Sequence, residues 1–445
     1  MKTNTLIAIV ALSVATMVSC KKEAPARLIS NDTGLVQMTF TASTIDTKTA
    51  IGALSEGKYP ITWSENDQIK VIAVDGEGVT LSTTTFNIVG SGGSSSATFT
   101  GTTEASAAAY YAVYPASLTP TVSGTGDDAT VSLSGFANHN VKAISGGIDA
   151  SRAVMFAKAE GNNLTFNHGM TYFKLTVGAE NISEIMLTLP DGGKYIYGNP
   201  TYKFSDGTTV SLSGTSASEN YVILAPDSGT LTNGATYFIP VVSTNDKLGK
   251  ITLTSKFNVE GKNKLYSSNV TTSKLKNEVT ANGDVYDLGT PVVKTELSAV
   301  SSSRTWGESD FAAHYISYIP GNNSTNQGSY CIWNNIKYIG DRVEFYNGTV
   351  KLTGKGDGAG RGSIQFMVDS NGTVSIDCKS TAVGKQISLY VGGTSFSSKK
   401  TTLKGERETI TFDTTTTISS ATTISIASDN PAFDIYSITW APVAP

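Results

Sequence analysis

Residues 69–74 read Ile-Lys-Val-Ile-Ala-Val, and residues 110–114 read Tyr-Tyr-Ala-Val-Tyr. Both are short runs of β-branched and aromatic residues, which favour β-strands. Glycine, serine, asparagine and aspartate fill the segments between such runs, as in Gly90-Ser91-Gly92-Gly93-Ser94, and this composition is typical of turns. No long segment repeats its apolar residues at helical spacing. The sequence therefore predicts an all-β fold in which each strand buries one face.

The composition of the 445 residues agrees with that prediction and excludes several classes of protein. Charged residues make up only 16%, while 19 Tyr, 16 Phe and 4 Trp supply material for cores. This chain is too apolar and too aromatic to be disordered. A net charge of −4 without a basic block argues against nucleic acid as a partner.

The N-terminus carries an export signal. Lys2 precedes an apolar run from Leu6 to Val18, which is too short for a membrane span and is followed by Ser19-Cys20. The ending Met17-Val18-Ser19-Cys20 resembles the bacterial lipobox, with Met in place of the usual Leu. We therefore expect residues 1–20 to be a lipoprotein signal peptide and Cys20 to be lipidated, with residues 21–35 as a tether. The alternative is an ordinary secretory signal with an incidental cysteine.

Two cysteines remain once Cys20 is set aside. In an exported protein, Cys331 and Cys378 can form a disulfide, which typically stabilises a fold by about 2–4 kcal/mol. Alternatively, each can be a separately buried thiol that packs as a small hydrophobe. Neither has a CxxC partner or a nearby histidine, so a metal or redox role is not expected.

Strand-like segments fall into three sets. The first set predicts a β-sandwich over residues 36–163, and the second predicts another over residues 164–288. After a linker, about eight further strands predict a third sandwich over residues 298–445, of jelly-roll type. This last set is long enough to close a core of its own, so we expect it to fold independently.

The first two sets resemble the fimbrillin family of Bacteroidetes surface proteins, the subunits and relatives of type V pili. The matching motifs occur in the order usual for that family: Thr47-Lys48-Thr49, Trp63-Ser64-Glu65-Asn66-Asp67-Gln68-Ile69-Lys70-Val71, Ala97-Thr98-Phe99-Thr100-Gly101, Tyr110-Tyr111-Ala112-Val113-Tyr114-Pro115, Leu164-Thr165-Phe166-Asn167-His168 and Tyr221-Val222-Ile223-Leu224-Ala225-Pro226. Asn66-Asp67-Gln68 departs from the family's usual Gly-Asp. The resemblance implies transthyretin-like sandwiches, a place on the outer membrane surface and no catalysis.

The final third of the chain resembles the β-sandwich modules appended to bacterial polysaccharide lyases and other glycan-handling surface proteins. The matching stretches are Val350-Lys351-Leu352-Thr353-Gly354, Ser363-Ile364-Gln365-Phe366 and Phe433-Asp434-Ile435-Tyr436-Ser437-Ile438-Thr439-Trp440. A sugar-binding role for this module is a hypothesis by analogy.

The motifs of common enzyme classes are missing from the sequence. It has no GxSxG, HExxH, zinc-ligand spacing or EF-hand loop, and it contains only three histidines. Glycines alternate from Gly354 to Gly362, but no helix or Lys-Ser/Thr follows, so a turn between strands is favoured over a phosphate loop. We expect no enzyme activity and no cofactor.

Aromatic residues of the final third are the candidate ligand contacts. Tyr436, Ile438 and Trp440 alternate and should share one face of the last strand. Trp306 and Trp333 are the best candidates for exposed rings that contact a glycan, because they are flanked by Arg304, Glu308, Asn334 and Asn335. Those polar neighbours would bond sugar hydroxyls. The alternative for each ring is a place in the core, as for most aromatics of a sandwich.

These observations predict a lipid-anchored outer-membrane protein that acts in adhesion, as a fimbrial tip or accessory subunit. Its partners would be membrane lipid, other fimbrial subunits and a host or dietary glycan. In polymerising relatives, a protease cleaves after an arginine and frees a groove for a neighbour's strand. Arg27 is the one candidate for such cleavage, or else an incidental charge in the tether. The alternative function is a glycan-binding lipoprotein of a polysaccharide uptake system.

Overall fold

The alternating segments of the sequence form strands in the computed structural model, so the all-β prediction is confirmed. The structure describes residues 28–29, 34–44, 50–51, 61–90, 92–135, 139–189, 198–205, 208–213, 221–242, 247–278, 282–291, 296–312, 329–340, 343–346, 348–353, 355–357, 362–414, 418–428 and 433–443. Helical segments in this part of the chain are α1 (Ser273–Asn277), α2 (Glu308–Ala312) and 3-10 turns at Gly126–Asp128 and Ala150–Arg152. None of the described helices has the length and apolarity needed to cross a membrane.

The first unit is built mainly from one sheet that curls back on itself. Its strands in chain order are β1 (Leu28–Ile29), β2 (Leu35–Thr44), β3 (Ala50–Ile51), β4 (Ile61–Thr62), β5 (Gln68–Val74), β6 (Thr80–Val89), β7 (Ser96–Glu104), β8 (Ala109–Tyr114), β9 (Thr119–Ser123), β10 (Thr130–Ser134), β11 (Asn140–Lys142), β12 (Met155–Glu160) and β13 (Asn163–His168). Thr41 of β2 pairs with β7 on one side and with β13 on the other. The ladder β2-β7-β6-β5-β8-β12-β13 therefore returns to β2 and encloses a core.

Aromatic residues fill that first core. Trp63 is buried and lies edge-on to Phe99 at 5.0 Å and to Phe166 at 5.4 Å between ring centroids. Edge-on contacts of this kind add to the gain from burying the rings. Ile69 and Val71 are buried in the same cluster, as their alternation predicts.

The second unit follows directly and exchanges strands with the first. Its strands are β14 (Thr171–Thr176), β15 (Ile182–Thr188), β16 (Asn199–Lys203), β17 (Thr209–Ser213), β18 (Tyr221–Ala225), β19 (Thr236–Val241), β20 (Ile251–Val259), β21 (Lys262–Val270) and β22 (Val285–Asp287). Strands β16 and β17 extend the β9–β10 pair, whereas β11 pairs with β18. Strand β13, expected to open the second unit, lies in the first sheet. The two units are therefore interleaved around residue 164 rather than divided there.

The third unit consists of two facing layers. Its strands are β23 (Ala299–Val300), β24 (Arg304–Trp306), β25 (Tyr330–Trp333), β26 (Ile336–Ile339), β27 (Val343–Tyr346), β28 (Thr349–Leu352), β29 (Ser363–Val368), β30 (Gly372–Ser380), β31 (Gln386–Val391), β32 (Thr394–Lys400), β33 (Arg407–Asp413), β34 (Thr422–Ser428) and β35 (Phe433–Pro442). One layer is the six-stranded sheet β27-β28-β35-β30-β33 with β24. Strands β23, β25, β26, β29, β34, β31 and β32 form the other layer, and apolar side chains from both fill the space between.

The second and third units share a sheet. Strand β21 pairs in parallel with β25, with Leu265 opposite Cys331 and Tyr266 opposite Ile332, which joins both units in one twelve-stranded sheet. Neighbouring residues of a strand point to opposite faces. Accordingly, Leu265 is buried in the core of the third unit, while Tyr266 belongs to the core of the second. A side chain from β21 therefore contributes to the core of the third unit, and the independent folding of residues 298–445 stays a prediction.

Candidate functional site

A cleft opens where β21 and β25 separate. Their pairing stops at Tyr266 and Ile332, after which β21 continues to Val270 while β25 ends at Trp333 and turns back. The segment that links the two units passes alongside. The resulting cleft of about 690 Å³ is lined by Ser267, Ser268, Asn269, Glu296, Ser298, Ala299, Val300, Ser301, Ser302, Ser303, Arg304, Ile332, Trp333, Asn334 and Asn335.

One wall of the cleft is a tight turn of two asparagines. Asn334 and Asn335 join β25 to β26 with φ angles of 45° and 62°, in the left-handed region that both central residues of a type I′ hairpin turn occupy. Asparagine tolerates this region better than most other residues. Asn335 exchanges two hydrogen bonds of 2.7 Å with the backbone of Ser298, which ties the turn to the linker segment.

Arg304 holds the same turn from the other side. Its Nη2 donates to the backbone oxygen and to Oδ1 of Asn334, each at 2.8 Å. The guanidinium carbon lies 5.0 Å from the centroid of the Trp306 ring, within the range of a cation–π contact. Asn334 also donates from Nδ2 to Asp310. The wall is therefore fixed by several bonds before any ligand arrives.

The exposure predicted for the two tryptophans is wrong. Trp306 has no exposed surface, and Trp333 keeps only 4%. Trp306 packs 5.0 Å from Phe366 in the core of the third unit and donates from Nε1 to the Asn334 carbonyl at 2.9 Å. Trp333 donates to the Asp310 carbonyl at 3.1 Å. Both rings are core residues that support the turn, and only Trp333 lines the cleft, with a small part of its surface.

The two cysteines are free thiols, so the disulfide alternative does not hold in this structure. Cys331 lies on the twelve-stranded sheet and Cys378 on the six-stranded one, both buried in the same core. Burial raises the pKa of each thiol to about 12. For Cys378, the carboxylates of Glu408 and Asp377 add to that rise. Both cysteines therefore act as small core residues.

A bulge changes which side chains of the last strand share a face. The register of β30 with β35 shifts between Asp377 and Cys378, so β35 carries an extra residue at Tyr436. Tyr436 is half-buried, while Ile438 and Trp440 are fully buried, so the predicted common face is wrong. The Arg407 guanidinium covers the Tyr436 ring at 3.9 Å from its centroid and pairs with Asp377 and Glu308. This face of the Tyr436 ring is therefore already covered by the Arg407 side chain.

Cys20 and Arg27 lie outside the described residues. The sequence pattern predicted ligand contacts for the asparagines and the arginine beside the tryptophans, but it did not predict them for the serines on the opposite side of the cleft. A signal was present in Ser301-Ser302-Ser303, a hydroxyl run in the linker directly before Arg304. Within the described ranges, no group of three His, Cys, Asp or Glu side chains is placed to hold a metal ion.

Several solved structures are similar to parts of this chain. No family model and no curated protein matches it. A candidate cell adhesion protein from Bacteroides uniformis is 16% identical with a TM-score of 0.33, covering 56% of this chain and 90% of its own. A candidate cell adhesion protein from Bacteroides ovatus is 15% identical with a TM-score of 0.29, covering 52% and 86%. A family two carbohydrate esterase from Cellvibrio japonicus is 13% identical with a TM-score of 0.21, covering 33% and 37%.

Proposed function

We propose that this chain is a surface adhesion protein that binds a glycan in the cleft between its second and third units. One observation carries the proposal: a cleft of about 690 Å³ whose lining residues include six serines and three asparagines. Its volume lies within the range of about 300–1,000 Å³ that is usual for small-ligand sites.

The chemistry of the lining favours a sugar over an apolar ligand. Ser268, Ser302 and Asn269 offer groups that both donate and accept hydrogen bonds, as sugar hydroxyls do. Because such bonds replace bonds to water, we expect dissociation constants from micromolar to millimolar, about 4–8 kcal/mol. Many copies on one cell would raise the effective strength by avidity.

The position of the last strand supports a capping or decorating role over a repeating fibre subunit. Strand β35 lies between β28 and β30, and its residues Ile435 and Ile438 are buried in the core. A strand that completes its own sheet is not available for donation to a neighbouring subunit. In this proposal, Cys20 carries the lipid anchor, and cleavage at Arg27 is not needed for function.

Display of the full chain on cells tests the adhesion proposal. Cells that display the wild-type protein should adhere to beads coated with at least one host or plant glycan selected from an array. Ser302→Trp places a bulky ring in the cleft without removing any hydrogen bond of the turn, and it should abolish adherence. Ser395→Trp, on the exposed edge strand β32, is the matched control and should adhere like the wild type. Equal adherence of both variants would contradict a role for the cleft.

A further inference from the structure

We propose that the ligand of the cleft is an acidic glycan whose carboxylate pairs with Arg304. This inference rests on the proposed function and names the class of sugar that the same site would take. Arg304 lines the cleft next to the serine run and the asparagine turn. The guanidinium group therefore lies where a ligand bonded to those side chains would reach it.

The hydrogen bonds of Arg304 leave most of its donors unused. A guanidinium carries five N–H groups, and only Nη2 of Arg304 bonds to the protein among the described residues, on Asn334. No described carboxylate forms an ion pair with it, whereas Arg407 in the same unit has two acidic partners. Nε and Nη1 keep N–H groups that no described residue accepts, and each can donate a charge-assisted hydrogen bond to a carboxylate of a ligand. A neutral sugar would leave the guanidinium group without a charged partner.

The guanidinium group of Arg304 is also held in place before a ligand binds. Nη2 is fixed by two bonds of 2.8 Å, and the Trp306 ring lies 5.0 Å from the guanidinium carbon. Ordering a long side chain on binding costs free energy, so a fixed arginine binds an anion at lower entropic cost than a mobile one. The arrangement favours a negatively charged oxygen over a neutral hydroxyl.

One acidic residue, Glu296, also lines the cleft. Its charge interacts with Lys337 and Tyr266. Burial lowers the pKa of Lys337, and Glu296 opposes that shift by favouring the charged ammonium. Lys264 is a second cation near Lys337. Glu296 thus interacts with Lys337, and Arg304 remains the cation for the ligand.

Matched sugar pairs test the inference with the full chain in a calorimeter. The pairs are tetragalacturonate with its carboxyl-reduced form, and 3′-sialyllactose with lactose, which separate plant uronates from host sialates. At least one acidic sugar should bind tenfold or more tightly than its neutral counterpart, as expected for a charge-assisted hydrogen bond between the guanidinium group and a carboxylate. If the neutral members bind as tightly as the acidic ones, the inference is overturned while the proposed function stands. If none of the four sugars binds and no glycan on the array depends on the cleft, both fail.

Two variants separate the arginine's role from stability. Arg304→Met removes the positive charge, and it should lower the ratio of acidic-sugar affinity to neutral-sugar affinity about tenfold. Ser302→Glu leaves every bond of the turn in place and adds a negative charge to the cleft, and it should lower the same affinity ratio by weakening the acidic sugar more than the neutral one. Ser395→Glu on β32 is the charge-matched control and should bind like the wild type. Unchanged affinity for the acidic sugar in both cleft variants would overturn the inference, even if one of them folded poorly.

Discussion

Replacement of Leu265 by alanine tests whether a side chain of the second unit stabilises the core of the third through the sheet that they share. Leu265 lies on β21 of the second unit, is 1% exposed and packs into the core of the third. The substitution removes three buried carbons, worth about 2.4 kcal/mol at about 0.8 kcal/mol each. The cavity left behind adds to this, so we expect the third unit to lose about 3 kcal/mol.

Tryptophan fluorescence during urea unfolding measures that loss. Three of the four tryptophans, Trp306, Trp333 and Trp440, are buried in the third core, so the signal reports mainly on that unit. The midpoint for Leu265→Ala should fall with the slope unchanged. Leu253→Ala on β20 is the matched control, because Leu253 is 2% exposed in the core of the second unit. If Leu265→Ala left the tryptophan transition at the wild-type midpoint, the shared sheet would be refuted.

Cys331 and Cys378 should resist thiol reagents at pH 8 in the folded protein, because burial raises their pKa to about 12. Both should react after unfolding, whereas a count of zero reactive thiols in the unfolded protein would indicate a disulfide. Cys20→Ser should leave the protein unanchored, and palmitate labelling of that variant would contradict lipidation at this residue. Asp67→Asn should destabilise the first unit by about 1–3 kcal/mol in thermal unfolding. Asp67 is 8% exposed and accepts hydrogen bonds from the Tyr114 hydroxyl at 2.9 Å and from the Ser64 backbone N–H at 2.7 Å. An unchanged unfolding midpoint would refute a structural role for this carboxylate. Purified protein should show no high-mass ladder on partly denaturing gels, and a ladder would argue for a fibre subunit.

Local patterns in the sequence were sufficient for the fold class. Alternation and turn residues around Ile69–Val74 predict a buried strand, and the structure has one at Gln68–Val74. Trp63, Ile69 and Val71 are buried as their spacing suggests. These features depend on neighbours in sequence, which is why a pattern of a few residues predicts them.

Features that depend on distant contacts could not be predicted in this way. The parallel pairing of β21 with β25 joins residues more than sixty positions apart, and no local pattern specifies it. The bulge at Tyr436 inserts one residue into an otherwise regular alternation, and that shift reverses which side chains are buried. Burial of Trp306 follows from the facing sheet rather than from its polar neighbours in sequence.

The sequence predicted only part of the candidate site, because the rest depends on contacts between distant segments of the chain. Arg304, Asn334 and Asn335 were predicted to contact a ligand because they flank tryptophans, and the structure places them in the wall of the cleft. The serines and Asn269 opposite come from other strands and from the linker. Only the separation of β21 from β25 brings them together, and that separation is a property of the assembled sheet.

The most direct test of the cleft as the ligand site is a calorimetric titration of the full chain with the glycan that binds best on an array. Wild type and Ser302→Trp should be titrated under identical conditions, with Ser395→Trp as the control. The cleft account predicts one site in the wild type and in the control, and at least a tenfold loss of affinity in Ser302→Trp. The same dissociation constant in all three proteins would contradict it.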